Sequence, residues 1–158
     1  MRQGKGPESA VTIILVDRRN LFRECIMMGL RRSAPGLTVH ASSSLDGAAR
    51  FLGSPNEHRL VLYNIASQPV TDEHLSKEIS AAVAAFHPVP LAILADRNDA
   101  ELVENGLRLG ARGYIWTGSS LDTALKAIHL IVGGGVYRPE SKSRKPRWLG
   151  TPTARSPP

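Results

Sequence analysis

Four short apolar runs in this chain end on residues that could do chemistry. VTIILV (11–16) is followed by Asp17 and Arg18, LVLYN (60–64) closes on Asn64, VPLAILA (89–95) closes on Ala95 before Asp96, and GYIW (113–116) is followed by Thr117. A carboxylate at such a place can act as a nucleophile or anchor a hard divalent cation. Asn64 does neither well. Its amide nitrogen is not a nucleophile at neutral pH, and its carbonyl oxygen is a far weaker ligand than a carboxylate. It can donate and accept hydrogen bonds. Arg18 sets a guanidinium beside the carboxylate of Asp17, so the charge that would draw a divalent cation is opposed at its source. Ala95 brings no hydroxyl, and Thr117 brings a hydroxyl without charge.

Other chemistry-bearing residues carry less. His40, His58, His74, His87 and His129 have no pair at metal-ligand spacing on one helix face. Cys25 is expected on the inner side of the first helix, where nothing basic is placed to activate it. Gly133–Gly135 reads as a helix terminator, and no G-x-G-x-x-G or P-loop follows the first strand. A nucleophile elbow and a Ser–His–acid order are both missing, which argues against a small hydrolase or transferase. The stretch RKPRW (144–148) sets basic residues around a tryptophan, a combination that grips phosphates and stacks on bases. A solvated interdomain linker is the reading preferred for it.

The chain has 158 residues, 42% of them hydrophobic, enough for one domain with a real core. Its formal net charge is +6, unevenly spread. From Arg138 onward six basic residues stand against one acid, so that end carries +5 and residues 1–137 only +1. One cysteine excludes an internal disulfide and fits a reducing compartment. The apolar runs are far shorter than the roughly 18 residues of a membrane span. A cytoplasmic location is therefore expected.

The elements that must position these residues alternate in type. β-branched apolar runs at 11–16, 37–41, 60–64, 89–95 and 113–116 are each followed by a helical pattern. The helices are expected near Asn20–Arg32, Ser44–Leu52, Asp72–Phe86, Asp99–Leu109 and Ser119–Val132. Leu21, Phe22, Cys25, Ile26 and Leu30 should face inward on the first, and the last should open on Ser119-x-x-Asp122. Strands alternating with helices imply a parallel sheet covered on both faces, a doubly wound α/β domain. In such a fold the functional crevice lies beyond the carboxyl ends of the strands, where Asp17, Arg18, Asn64, Ala95, Asp96 and Thr117 fall. Residues 1–10 read as a flexible arm, 11–139 as the domain and 140–158 as a basic, proline-rich linker or tail.

The stretches ILVDRRNLFRE (14–24), LVLYNIASQP (60–69), LAILADRNDAELVENGLRLGARGYIW (91–116) and GGGVYRP (133–139) resemble the receiver domains of two-component response regulators, closest to the LuxR-type (NarL/FixJ-like) class. The resemblance implies a flavodoxin-like fold of five parallel strands in order 2-1-3-4-5 with five helices. It also implies aspartyl phosphorylation assisted by Mg²⁺, and there the sequence departs from the pattern. Asp17 matches the first acid, but Arg18 stands where the second is expected. Asn64 takes the phosphoacceptor position, Ala95 replaces the phosphoryl-binding hydroxyl and Thr117 the lysine. Tyr114 matches the switch aromatic. Pro69 comes one residue later than usual.

These substitutions imply a non-enzymatic pseudo-receiver that signals without phosphate and has lost Mg²⁺ binding. Arg18 is expected to fill the place of the metal, paired with Asp17 or Asp96. The output is expected to be protein–protein contact, as a homodimer or with another signalling protein. The dimer face would be the fourth helix, fifth strand and fifth helix, with Glu101, Glu104, Arg108, Asp122 and Lys126 at its rim. Membership in a transcriptional regulator follows from the resemblance, with DNA reached only through a helix-turn-helix domain absent from this chain. The alternative is control by a small molecule or protein bound at the strand-end crevice.

Overall fold

The structure is a computed structural model and describes residues 10–53 and 58–140. Residues 1–9 of the arm read at 1–10, the tail beyond Glu140 and the RKPRW stretch lie outside the described residues.

The elements follow in the order β1 (Val11–Val16), α1 (Asn20–Ser33), β2 (Leu37–Ser42), α2 (Leu45–Ala48) with a 3₁₀ turn (Ala49–Phe51), β3 (His58–Ala66), α3 (Glu73–Phe86), β4 (Leu91–Ala95), α4 (Ala100–Arg108), β5 (Gly113–Trp116) and α5 (Leu121–Val132). All strand pairs are parallel, in the order β2-β1-β3-β4-β5. This is the expected flavodoxin-like arrangement.

Period-two alternation along the strands divides the core in two. Ile14, Val16, Val61, Tyr63, Ile93 and Tyr114 turn to one face, where α2, α3 and α4 cover them. Ile13, Leu15, Leu60, Leu62, Leu94 and Ile115 turn to the other, under α1 and α5. Side chains of this size each contribute about 1.5–3 kcal/mol when fully buried, so the strands drive the fold.

The helices depart from expectation in three places. The second is cut to one α-turn and a 3₁₀ turn, since Gly47 lowers helix propensity at its centre. The cap of α5 is Ser120, whose Oγ accepts from the Thr123 N–H, and not Ser119. Helix α1 packs through Leu30, with Ile26 and Met27 half-buried against the core. Leu21, Phe22 and Cys25, expected inside, are exposed. One seam of a helix against the sheet needs fewer apolar positions than the sequence supplies.

Candidate functional site

The strand order reverses between β1 and β3, and the residues at their carboxyl ends build the site. Asp17 follows β1 and is only 2% exposed. A buried carboxylate needs compensation, and four donors supply it. Oδ1 accepts from the Arg19 backbone N–H at 2.8 Å and from Arg19 Nε at 3.3 Å. Oδ2 accepts from Arg19 Nη2 at 3.3 Å and from Asn64 Nδ2 at 2.8 Å.

The amide of Asn64 is thus a bridge. While its nitrogen donates to Asp17, its Oδ1 accepts from the Ala66 N–H at 2.8 Å. Between these residues the register against β4 slips by one, so Ile65 forms a bulge and Ala66 enters the left-handed region at φ 54°. The bulge absorbs one residue, in keeping with the late arrival of Pro69. A carboxylate at position 64 would accept from Ala66 equally well but could not donate to Asp17.

Arg19, and not Arg18, fills the centre of the crevice. Its guanidinium reaches Asp17 on one side and Asp96 on the other, with Nη1 3.6 Å from Asp96 Oδ2. The ring of Phe22 lies beneath it, 4.0 Å from guanidinium carbon to ring centroid. Arg18 turns outward, 70% exposed, and meets Glu78 at 3.4 Å. The expectation that Arg18 pairs with Asp17 or Asp96 is therefore corrected. The reason is alternation: Arg19 keeps extended dihedrals, so Asp17 and Arg19 share a side and Arg18 takes the opposite one. Nothing local in the sequence signals that the extended backbone of β1 runs on through Arg19.

Asp96 completes the circuit. Its Oδ1 accepts from Thr117 Oγ1 at 2.8 Å, and its Oδ2 from Ser67 Oγ at 3.3 Å. Ser67 was missed by the sequence reading because the bulge that delivers it is a tertiary feature. Ala95 is buried and contributes only packing. Tyr114 is fully buried, and its hydroxyl donates to the Arg97 carbonyl at 2.8 Å. Burial, with help from Asp99 and Asp96, pushes its phenol up to about 12. No group of three or more His, Cys, Asp or Glu side chains suited to a metal occurs among the described residues.

The arrangement sets one guanidinium, Arg19, between two carboxylates, Asp17 and Asp96. Against known structures, the chain superposes on a LuxR-family DNA-binding response regulator from Silicibacter pomeroyi with a TM-score of 0.66. The identity is 22%, over 83% of this chain and 98% of that one. It also superposes on the isolated receiver domain of RcsB from Salmonella enterica serovar Typhimurium, solved with the phosphomimetic BeF₃⁻. There the TM-score is 0.59 and the identity 18%, over 82% of this chain and 94% of that one.

The chain has the response-regulator receiver fold.

Two curated proteins are similar to the chain in sequence. A glycerol metabolism activator from Pseudomonas putida is 27% identical over 87% of this chain. The transcriptional regulatory protein DegU from Brevibacillus brevis is 22% identical over 82% of it. The chain spans 61% and 53% of the length of these relatives. No protein-family model matches it. No helix among the described residues is long and apolar enough to cross a membrane.

Proposed function

We propose that this receiver holds its signalling state without phosphorylation and serves as a non-enzymatic protein-contact module of a transcriptional regulator. The observation that carries the reading is the buried Asp17 carboxylate, closed on all sides by Arg19 and Asn64. A guanidinium occupies the space between Asp17 and Asp96, where a divalent cation would need carboxylates facing it alone. Mg²⁺ would have to displace a charge already paired.

In this reading Tyr114 does not respond to the crevice. Ala95 has no hydroxyl to move, and the phenol is tied to Arg97. The relatives' names support a role in transcription, with DNA contact belonging to a domain outside the receiver. Dimerisation through α4, β5 and α5 is part of the proposal. Three of the five expected rim charges are in ion pairs within the chain, however, Glu104 with Arg138 and Asp122 with Lys126, and Arg108 donates to Asn105. Glu101 and Arg108 remain at the surface for a partner.

The test is intact mass after incubation with Mg²⁺ and acetyl phosphate. No phosphoryl mass is expected on the natural chain. None is expected after Asn64→Asp alone, because Arg19 still fills the crevice and Ala95 and Thr117 still lack the groups that bind phosphoryl oxygens. Efficient labelling of either protein overturns the reading.

A further inference from the structure

Between α2 and α3 lies a cleft of about 420 Å³, within the size range of small-molecule sites. It exists because α2 stops after one turn and because α3 presents Ala81 and Ala85 toward it. Its apolar floor is Val16, Tyr63 and Phe86, all buried. Its mouth carries the opposite chemistry, with Arg18 against Glu78 on the α3 side and Asp46 on the α2 side.

The rim charges decide the class of ligand. Arg18 makes one long contact, 3.4 Å to Glu78, and is otherwise exposed, so most of its five donors are open to a carboxylate. Glu78 and Asp46 together outweigh it, which disfavours a simple anion. A molecule carrying both charges matches the rim: its carboxylate meets Arg18 and its ammonium meets the acids. The apolar body then covers Tyr63 and the two alanines. We propose that this cleft binds a small zwitterion with an apolar side chain, in chemical class an apolar α-amino acid. The proposal rests on the reading above, in which input does not arrive as phosphate. Arg18 adjoins both Asp17 and Arg19 in the chain, so occupancy of the cleft would be felt at the closed crevice.

The experiment is a ¹⁵N–¹H correlation titration of the full chain with L-phenylalanine and, separately, L-leucine. 3-Phenylpropionate, which lacks the ammonium, and phenethylamine, which lacks the carboxylate, serve as comparisons. Saturable shifts centred on Ser44, Tyr63, Ala81 and Ala85 are expected with at least one amino acid and with neither comparison compound. Arg18→Ala, at an exposed position, should weaken binding about tenfold through loss of a charge-assisted contact. Ala85→Leu, a helix-compatible change, should abolish it by filling the cleft, with the remaining spectrum unchanged. The proposal is overturned by the absence of saturable shifts with both amino acids. Equal binding of 3-phenylpropionate, or indifference to Arg18→Ala, overturns it as well. Such a failure leaves the phosphate-independent reading in place, because that stands or falls on the mass measurement alone.

Discussion

At the scale of single residues, the crevice is governed by one amide and one guanidinium. Asn64 differs from an aspartate by a single group, yet its nitrogen is what allows two strand ends to meet, donating to Asp17 at 2.8 Å. Asn64→Asp would bring two carboxylates to that distance in a buried setting. One of the pair must then titrate well above the ordinary carboxylate range. A pKa raised in the folded state gives stability that is present at low pH and lost as pH rises through it. The variant is expected to be about 2–3 kcal/mol less stable than the natural chain near pH 8, with a smaller deficit near pH 5. Urea midpoints at the two pH values measure this, and an equal deficit at both would mean that Arg19 neutralises the new charge. The types of Asp17 and Asn64 were legible in the sequence. The exchange of roles between Arg18 and Arg19 was not, because two adjacent identical side chains differ only in the direction the backbone gives them.

At the scale of elements, α4 and β5 meet through the absence of a side chain. Gly106 faces the strand, and a Cβ added there would stand 2.8 Å from Ile93 Cδ1 and 3.4 Å from the ring of Tyr114. The inward tyrosine thus depends on a glycine in a helix that would otherwise favour alanine. Gly106→Ala is expected to lose about 1–3 kcal/mol by overpacking, against a propensity gain of about 1 kcal/mol. Denaturant unfolding measures the balance, and a stabilised variant would show that α4 can shift outward without cost. The phenol adds a pH dependence. Its folded-state value, about 12, lies above the ordinary value of 10.0, so the folded form keeps a proton that the unfolded chain releases. That stability is fully present below pH 10 and is lost between pH 10 and about 12. Tyr114→Phe should reduce this loss without removing it, since burial raises the phenols of Tyr63 and Tyr137 as well, while costing about 1 kcal/mol at neutral pH for the bond to Arg97. Stability curves on either side of pH 10 test both effects. Sequence placed Tyr114 on β5 but could not say which way the ring turns, since rotamer and neighbouring helix are fixed together.

At the scale of the whole molecule, the segment after α5 returns along the edge of β5. Tyr137 pairs beside Gly113, with its N–H donating to the Arg112 carbonyl and its carbonyl accepting from the Tyr114 N–H. Arg138 meets Glu104 on α4, and Asn98 donates to the Glu140 carbonyl. The chain therefore pairs with the start of β5 at one edge of its own sheet, an edge that otherwise invites pairing with another copy. Large exposed apolar side chains lie on α1, as Leu21, Phe22 and Met28, and on α5 and the segment after it, as Leu121, Leu130 and Val136. Light scattering across a concentration series tests the dimer proposed through α4, β5 and α5. A dimer there should weaken on charge reversal at Glu101 and Arg108, whereas a monomer at every concentration removes the homodimer from the reading. The sequence by itself determined the order of elements, the parallel sheet and the types of residue at the strand ends, because period-two and helical apolar patterns are local and strong. Only the tertiary structure decided which arginine entered the crevice, that Ile65 bulged and that the tyrosine lay inward. Each of those outcomes depends on how a side chain or backbone group meets a partner distant in sequence, and that meeting is set by packing.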